Sequence, residues 1–358
     1  MAKKQKKSSF RVARALIFVG SLGIGIALLT VFLSFVGFNT IIETVRTVDM
    51  RLLFIAFLLD MAGLLLYGTC WHVLLRAAGL KMRFRSSVSI ALAGIFACYI
   101  TPSGFFMDAS RVLLASKECD IPIGDGAATV ILHKVVFTLG FVSFALVGTT
   151  MLFFSHGFPY PLAINIVAFA ILIIAGIAGL VLLVAKSHRL EHRIPDIADR
   201  GRRLLRRAVG KYYPLVASSL GSSARDFKRT FMKLFRHPGA MLASYAVALG
   251  YWTTSVLIFY VVFVALGYNV SVWVIMLTIS IGDFVQMTPI AIPGMLGILE
   301  VVTTTVLVMF GVPLNVAASA TVLARVATFW FDLPITGAAA SYYGAKYVAS
   351  LASGLSKA

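Results

Sequence analysis

Residues 122–135 read PIGDGAATVILHKV and residues 313–326 read PLNVAASATVLARV, and the two segments align without a gap. Each copy begins with proline, contains several small residues and has a cation at its thirteenth position, Lys134 or Arg325. An internal repeat within hydrophobic sequence is typical of transporters built from two related halves. The sequence therefore predicts two such halves, and the repeat marks the same place in each.

A stretch broken by proline and glycine precedes each copy and ends in an acidic residue. The first stretch, TPSGFFMD, ends at Asp108, and the second, TPIAIPGMLGILE, ends at Glu300. Non-helical backbone inside a bilayer must be buried in protein or line a wet cavity, so these breaks favour re-entrant hairpins. A kink in an ordinary spanning helix is the alternative. Because the break occurs in both halves, we predict hairpins at about 86–117 and 271–310.

The composition is that of a polytopic membrane protein. Hydrophobic residues make up 59% and charged residues 13% of the chain, the mean hydropathy is +0.93, and apolar runs reach the ~20 residues that cross a bilayer. The net charge is +18, and it is concentrated in residues 3–14 and in residues 186–236. This pattern predicts topology and contact with the anionic leaflet rather than nucleic-acid binding. Around residues 196–210 the basic segment is either an amphipathic helix on headgroups or a solvated linker.

Charge placement also predicts the orientation of each segment. Both termini and the basic loop belong in the cytoplasm of a cell-membrane protein, because Lys and Arg are enriched on that side. Six full spans are expected at 15–38, 52–75, 122–154, 162–185, 239–266 and 313–345. The two hairpins then enter from opposite faces. We predict an all-α polytopic membrane protein with two inverted-topology repeats, six full spans and two re-entrant helical hairpins, an arrangement that suits alternating access.

The same reasoning divides the chain into four parts. A basic N-terminus with the first transmembrane helix is followed by the first repeat with a connecting helix, then by the basic cytoplasmic loop and the second repeat. The corresponding ranges are 1–51, 52–185, 186–238 and 239–358.

Ionisable residues within the apolar segments are candidates for function. Each costs about 2.5 kcal/mol or more at the centre of a membrane helix, so such residues usually face the protein interior. Nine fall in these segments: Asp60, Asp108, Arg111, His133, Lys134, Asp283, Glu300, Arg325 and Asp332. Each half supplies one acid at its break and one cation on its repeated helix.

Two interpretations of these charges remain open. One is a cationic cavity for a lipid phosphate, with Arg111, Lys134 and Arg325 as contacts and the acids Asp108 and Glu300 holding them in place. The other is a set of internal ion pairs that join the helices.

Two glycines at the breaks also have alternative interpretations. Gly104 and Gly294 either free backbone N–H groups at a helix start for an anion or permit close helix packing.

No catalytic or metal centre is expected. The sequence HRLEH at 188–192 matches an inverted zinc-protease pattern but has no obvious third ligand. The three cysteines form no ligand or disulfide framework, and no phosphate-binding loop of the GxxxxGK[ST] type is present. The sequence therefore predicts a non-enzyme without cofactor or metal.

Four segments together resemble the lysylphosphatidylglycerol synthase transmembrane family, also called flippase-like membrane proteins. They are TPSGFFMDASRVLL, IPIGDGAATVILHKVV, TPIAIPGMLGILE and GVPLNVAASATVLARVATFW. The first family motif is matched by Pro102, Gly104, Asp108 and Arg111. The second motif is matched by Pro293, Gly294, Gly297 and Glu300. Lys134 and Arg325 match the two basic positions. Phe105 and Phe106 stand where the family usually has small residues.

The resemblance spans about residues 52–343 and implies the lipid-translocating part of such proteins without the soluble synthase domain. The expected function is movement of an anionic phospholipid or lipid-linked headgroup between leaflets. The alternative is a non-transporting membrane partner or scaffold that docks a lipid-modifying or glycosyl-transferring enzyme through the basic loop. Expected partners are lipids with anionic headgroups, and a second copy or an enzyme is the further partner considered.

Overall fold

The computed structural model describes residues 23–34, 43, 46, 48–101, 105–156, 160–185, 213–288 and 292–355, and all of the secondary structure in these ranges is helical. A helical segment, Gly23–Ser34, precedes eleven helices. They are α1 (Met50–Ala78), α2 (Phe84–Ile100), α3 (Phe105–Cys119), α4 (Ile123–His156), α5 (Tyr160–Ala185), α6 (Tyr213–Phe235), α7 (Pro238–Ala265), α8 (Val272–Met287), α9 (Ile298–Met309), α10 (Leu314–Arg325) and α11 (Phe331–Leu355). A π-helical turn, Val326–Trp330, joins α10 to α11.

In the part of the chain that the structure describes, five helical stretches are long and apolar enough to cross a membrane. They are Met50–Ala78, Ile123–Ser155, Ala163–Ala185, Pro238–Ala265 and Leu314–Lys346. Each coincides with a predicted span, so five of the six predictions are confirmed in length and composition. Most of the remaining predicted span, 15–38, lies outside the described residues.

The helix ends follow from local sequence. Asp49 caps α1, because its side chain accepts a hydrogen bond from the Arg51 backbone nitrogen at 2.8 Å. Gly79 ends the same helix with a φ of 83°, a backbone conformation that glycine adopts without strain. Pro238 begins α7, where the missing N–H has no helical partner to lose.

Both predicted breaks interrupt helical structure. Helix α2 ends at Thr101, which is extended with a φ of −114° and a ψ of 148°, and residues 102–104 lie outside the described ranges. In the second half, Thr288 and Ile292 are extended. The following 3-10 turn, Pro293–Met295, contains Gly294 at a φ of 59°. Each break therefore separates a pair of short helices that pack together, α2 with α3 and α8 with α9.

The two halves pack in a reciprocal way. Helix α2 packs on α11, and α8 packs on α4. The first arm of each broken pair thus rests on the long helix of the other half. Helices α1 and α7, which precede the two broken pairs, also pack along each other. The site described below lies where these elements meet.

Part of the basic segment belongs to the helical core. Helix α6 packs on α4, and its Phe231 and Leu234 are fully buried beside Leu74 and Leu132. Asp125 of α4 accepts a hydrogen bond from the Thr230 hydroxyl at 2.6 Å. The sequence alone did not predict a packed helix here. The amphipathic helix predicted around 196–210 lies outside the described residues.

Candidate functional site

The acid and cation of the second half form a buried ion pair. Arg325 donates from Nε to Glu300 Oε1 at 2.8 Å, and the side chains are 15% and 4% exposed. Arg325 also donates from Nη2 to the Gly294 carbonyl at 2.8 Å, and its guanidinium lies over the Phe329 ring. The cation at the thirteenth position of the repeat is therefore tied directly to the break in its own half.

Glu300 links this pair to the start of α9. Its Oε2 accepts a hydrogen bond from the Gly297 backbone nitrogen at 2.7 Å. Glu300 occupies the third position of the helix, from which an acidic side chain reaches back to the N-cap N–H. Gly297 has a φ of 81°, and a Cβ there would lie 2.5 Å from Leu28 Cβ. The position therefore needs glycine for both its backbone conformation and its close packing.

The acid and cation of the first half also meet, but near the protein surface. Lys134 Nζ donates to Asp108 Oδ2 at 2.9 Å. The Lys134 side chain is 56% exposed and that of Asp108 is 26% exposed. The equivalent ion pair in the first half is thus far more accessible than the Glu300–Arg325 pair. Gly104, another site residue predicted in this half, lies outside the described residues.

Arg111 lies in the helical core rather than on the cavity. It is fully buried, donates from Nη1 to the Tyr67 hydroxyl at 3.0 Å and stacks over Trp71 at 4.3 Å. His133 Nδ1 lies 3.4 Å from the same nitrogen. Gly94 makes room for it, because a Cβ there would lie 2.7 Å from Arg111 Cγ. The structure thus gives Arg111, predicted as a phosphate contact, a position that joins α1, α2, α3 and α4.

A cavity of about 220 Å³ lies between the halves. Arg325 and Gly294, both predicted site residues, line it, whereas Asp108, Arg111 and Lys134 do not. The charged residues among its described lining are Asp60, Asp283, Arg325 and Asp332. One interpretation of the sequence was a cationic cavity, but the described residues that line this space supply three carboxyl groups and one guanidinium. Tyr99, which sequence analysis missed, donates from its hydroxyl to Asp332 Oδ2 at 2.8 Å.

A second recess of about 570 Å³ lies beside the α1–α2 turn and the end of the last span. Its charged residues are Lys81, Arg83, Arg85, Lys346 and Glu118, and Lys346 forms an ion pair with Glu118. The cations outnumber the acid, so this recess favours anions. Among the described residues, no cluster of three or more His, Cys, Asp or Glu side chains could hold a metal ion.

Comparison with known proteins extends the resemblance over most of the chain. Residues 17–335 match the family described as the lysylphosphatidylglycerol synthase TM region. A UPF0104 membrane protein of Pyrococcus horikoshii is 25% identical over 325 residues, which is 88% of this chain and 93% of that protein. UPF0104 membrane proteins of Archaeoglobus fulgidus and Methanothermobacter thermautotrophicus are 27% and 23% identical, over 80% and 90% of this chain and 85% and 94% of theirs. This multi-pass membrane protein belongs to the lysylphosphatidylglycerol synthase transmembrane family.

Proposed function

We propose that this protein moves an anionic phospholipid or lipid-linked headgroup between the leaflets by alternating access. The observation that carries the proposal is the matched contact in the two halves: each repeated helix holds its thirteenth-position cation against the acid at the break of its own half. Paired, repeat-related broken helices are where membrane transporters bind their substrates.

The packing supports two inverted repeats. Helices α1 and α7 lie against each other, while α2 with α11 and α4 with α8 make the corresponding contacts across the halves. In this proposal α2 with α3 and α8 with α9 are re-entrant hairpins, entered from the cytoplasm and from outside. In this proposal that end of the molecule and both termini face the cytoplasm, because Lys and Arg are enriched on the cytoplasmic side and Lys81, Arg83 and Arg85 lie beside the α1–α2 turn.

The two cations have different roles in binding the headgroup. Lys134 is half-exposed and can contact a phosphate without first being uncovered. Arg325 lies on the cavity and binds Glu300 and the Gly294 carbonyl, so a phosphate must compete with those two acceptors. Competition of this kind allows the broken helix to be released when the headgroup binds. The proposal assigns no catalytic step to the chain.

The test is lipid translocation by purified protein in vesicles that contain fluorescent phosphatidylglycerol, with membrane-impermeant dithionite as the quencher. We expect faster exposure of the inner-leaflet probe than in empty vesicles. Arg325→Ala and Lys134→Ala should each slow it by about tenfold or more, because a charge-assisted hydrogen bond contributes about 1.5–3 kcal/mol. Arg51→Ala, which removes an exposed cation at the start of α1, is the control.

If folded protein does not accelerate translocation, the transport proposal fails and the scaffold alternative gains support. If translocation is fast but unchanged in both cation variants, transport stands and the proposed headgroup contacts are wrong.

A further inference from the structure

More acidic than basic side chains line the cavity between the halves, among the described residues. Asp60 enters from α1, Asp283 from α8 and Asp332 from α11. The guanidinium of Arg325 is already paired with Glu300. Uncompensated charge is costly away from bulk water, and an anionic headgroup in this space would add to the repulsion. The acids of the cavity must therefore be neutralised when an anion enters.

Two of these acids, Asp60 and Asp332, interact with each other. Asp60 and Asp332 line the same cavity, where their side chains interact, and the two residues are only 8% and 4% exposed. Asp60 Oδ2 and Asp332 Oδ1 are buried and have no hydrogen-bond donor among the described residues. Because it is costly to ionise two neighbouring buried carboxyl groups together, a proton shared between them is favoured, and it would satisfy both atoms.

Among the described residues that line the cavity, the only cation is Arg325, whose charge also reaches Asp332. The titratable and charged side chains that share the cavity, taken from α2, α7, α8 and α10, are Cys98, Tyr99, Tyr251, Asp283 and Arg325. Tyr99 donates one hydrogen bond to Asp332 Oδ2, and Gln286 donates to Asp283 rather than to the pair. Arg325, the one cation among the described lining residues, is bound to Glu300 on α9. A proton is the ligand that fits, because two oxygens from two side chains are too few for a metal site.

We propose that Asp60 and Asp332 form a proton-binding site whose occupancy is coupled to anion binding in the same cavity. The proposal rests on the transport function above and gives that transport an energy source. Without a headgroup the pair holds this proton in only part of the molecules at neutral pH. Headgroup binding raises that fraction, and, by reciprocity, protonation strengthens headgroup binding. Transport of the anionic lipid is then accompanied by the proton, and a proton gradient drives it.

The first test detects the bound proton and does not depend on lipid transport. Infrared spectra of the purified protein at neutral pH should contain a protonated-carboxyl C=O band that weakens in Asp60→Asn and in Asp332→Asn. Each single variant should lose as much intensity as the double variant, because one proton belongs to the pair. Asp49→Asn changes an exposed cap and should leave the band unchanged. A band that neither cavity variant weakens would overturn the proton site.

The second test measures the coupling. Short-chain, water-soluble phosphatidylglycerol added to the protein in weak buffer should cause proton uptake, and its affinity should rise by up to about tenfold per unit fall in pH, the limit for one linked proton. Both aspartate variants should lose this uptake. Binding without proton uptake in the wild type would refute the coupling.

The third test separates the coupling from transport itself. In the dithionite assay, a pH gradient should accelerate wild-type translocation in one direction, and Asp60→Asn should lose that acceleration. If the rate of translocation does not change with a pH gradient, or changes only with a Na⁺ gradient, the proton coupling is wrong and the proposed lipid transport still stands. Failure of translocation under every condition rejects the transport function, while the infrared and proton-uptake results still decide whether the proton site exists.

Discussion

The two ion pairs occupy equivalent positions but should contribute very differently to stability. Glu300→Gln removes a charge but keeps the side-chain shape. It leaves Arg325, whose side chain is 15% exposed, without its carboxylate partner. Removing one partner of a buried pair costs about 3–5 kcal/mol, and we expect a value near 3 kcal/mol because Arg325 retains some exposure and its bond to the Gly294 carbonyl.

Asp108→Asn is the matched change in the first half. Its partner Lys134 is 56% exposed, and exposed ion pairs contribute only about 0–1 kcal/mol. The measurement is the free energy of unfolding in mixed micelles during a detergent titration, followed by tryptophan fluorescence.

A double-mutant cycle isolates the pair itself. Glu300→Gln combined with Arg325→Gln should cost clearly less than the sum of the two single changes, because the uncompensated cation is gone. Equal losses for Glu300→Gln and Asp108→Asn, or strict additivity in the cycle, would refute this account of the buried pair.

Two further substitutions and one labelling experiment test packing and exposure. Gly94→Ala places a Cβ 2.7 Å from Arg111 Cγ and should lower the free energy of unfolding by about 1–3 kcal/mol, because the α2–α3 contact must open. Asp125→Ala removes an acceptor that holds α6 and should increase hydrogen exchange throughout that helix, which mass spectrometry measures. An impermeant maleimide should label partly exposed Cys119 from the cytoplasmic side and label fully buried Cys70 only after denaturation.

Each change has a control or a contradicting result. Gly176→Ala, where no atom lies within 4 Å of an added Cβ, should leave stability nearly unchanged. Asp226→Asn, in a surface pair with Arg229, should not increase exchange in α6. Labelling of Cys119 only from outside would reverse the proposed topology.

The spans and the acid–cation contacts could be predicted from the sequence because both are local. Apolar length identifies a spanning helix without reference to its neighbours. The thirteenth-position cations follow from the repeat alignment, and each pairs with an acid fewer than thirty residues away, as the Asp108–Lys134 and Glu300–Arg325 contacts show. The repeat therefore predicted which cation lies near which acid, as well as the sequence similarity of the two helices.

Long-range contacts could not be predicted in the same way. The sequence identifies Asp60 and Asp332 separately as acids in apolar segments, but their interaction depends on how α1 packs on the π-helical turn that precedes α11. Arg111 resembles a ligand-binding cation in sequence, and only tertiary packing shows its ring contacts with Tyr67 and Trp71. The burial of α6 could not be predicted because lysine and arginine residues alternate with its apolar residues. The long alkyl parts of these basic side chains can lie along an apolar surface, so a buried helix face can contain them and is hard to recognise in the sequence.

The packed core around Arg111 and the cavity are formed by some of the same helices. The contacts on the two sides of the cavity therefore determine which side can move. Arg111 fixes one side through aromatic contacts, whereas the second break is held by the hydrogen bonds of Arg325 and Glu300. Hydrogen bonds to a mobile ligand can exchange, but close ring packing resists change. We therefore expect movement at the second break and a fixed core around Arg111.

Accessibility of Cys98 tests alternating access most directly, because this natural cysteine lines the cavity. In a variant with Cys70→Ala and Cys119→Ser, a small impermeant thiol reagent is applied to sealed vesicles of either orientation. The account predicts that Cys98 is labelled from each side of the membrane, and that short-chain phosphatidylglycerol changes the ratio of the two rates. Labelling from one side alone, unaffected by lipid, would contradict it.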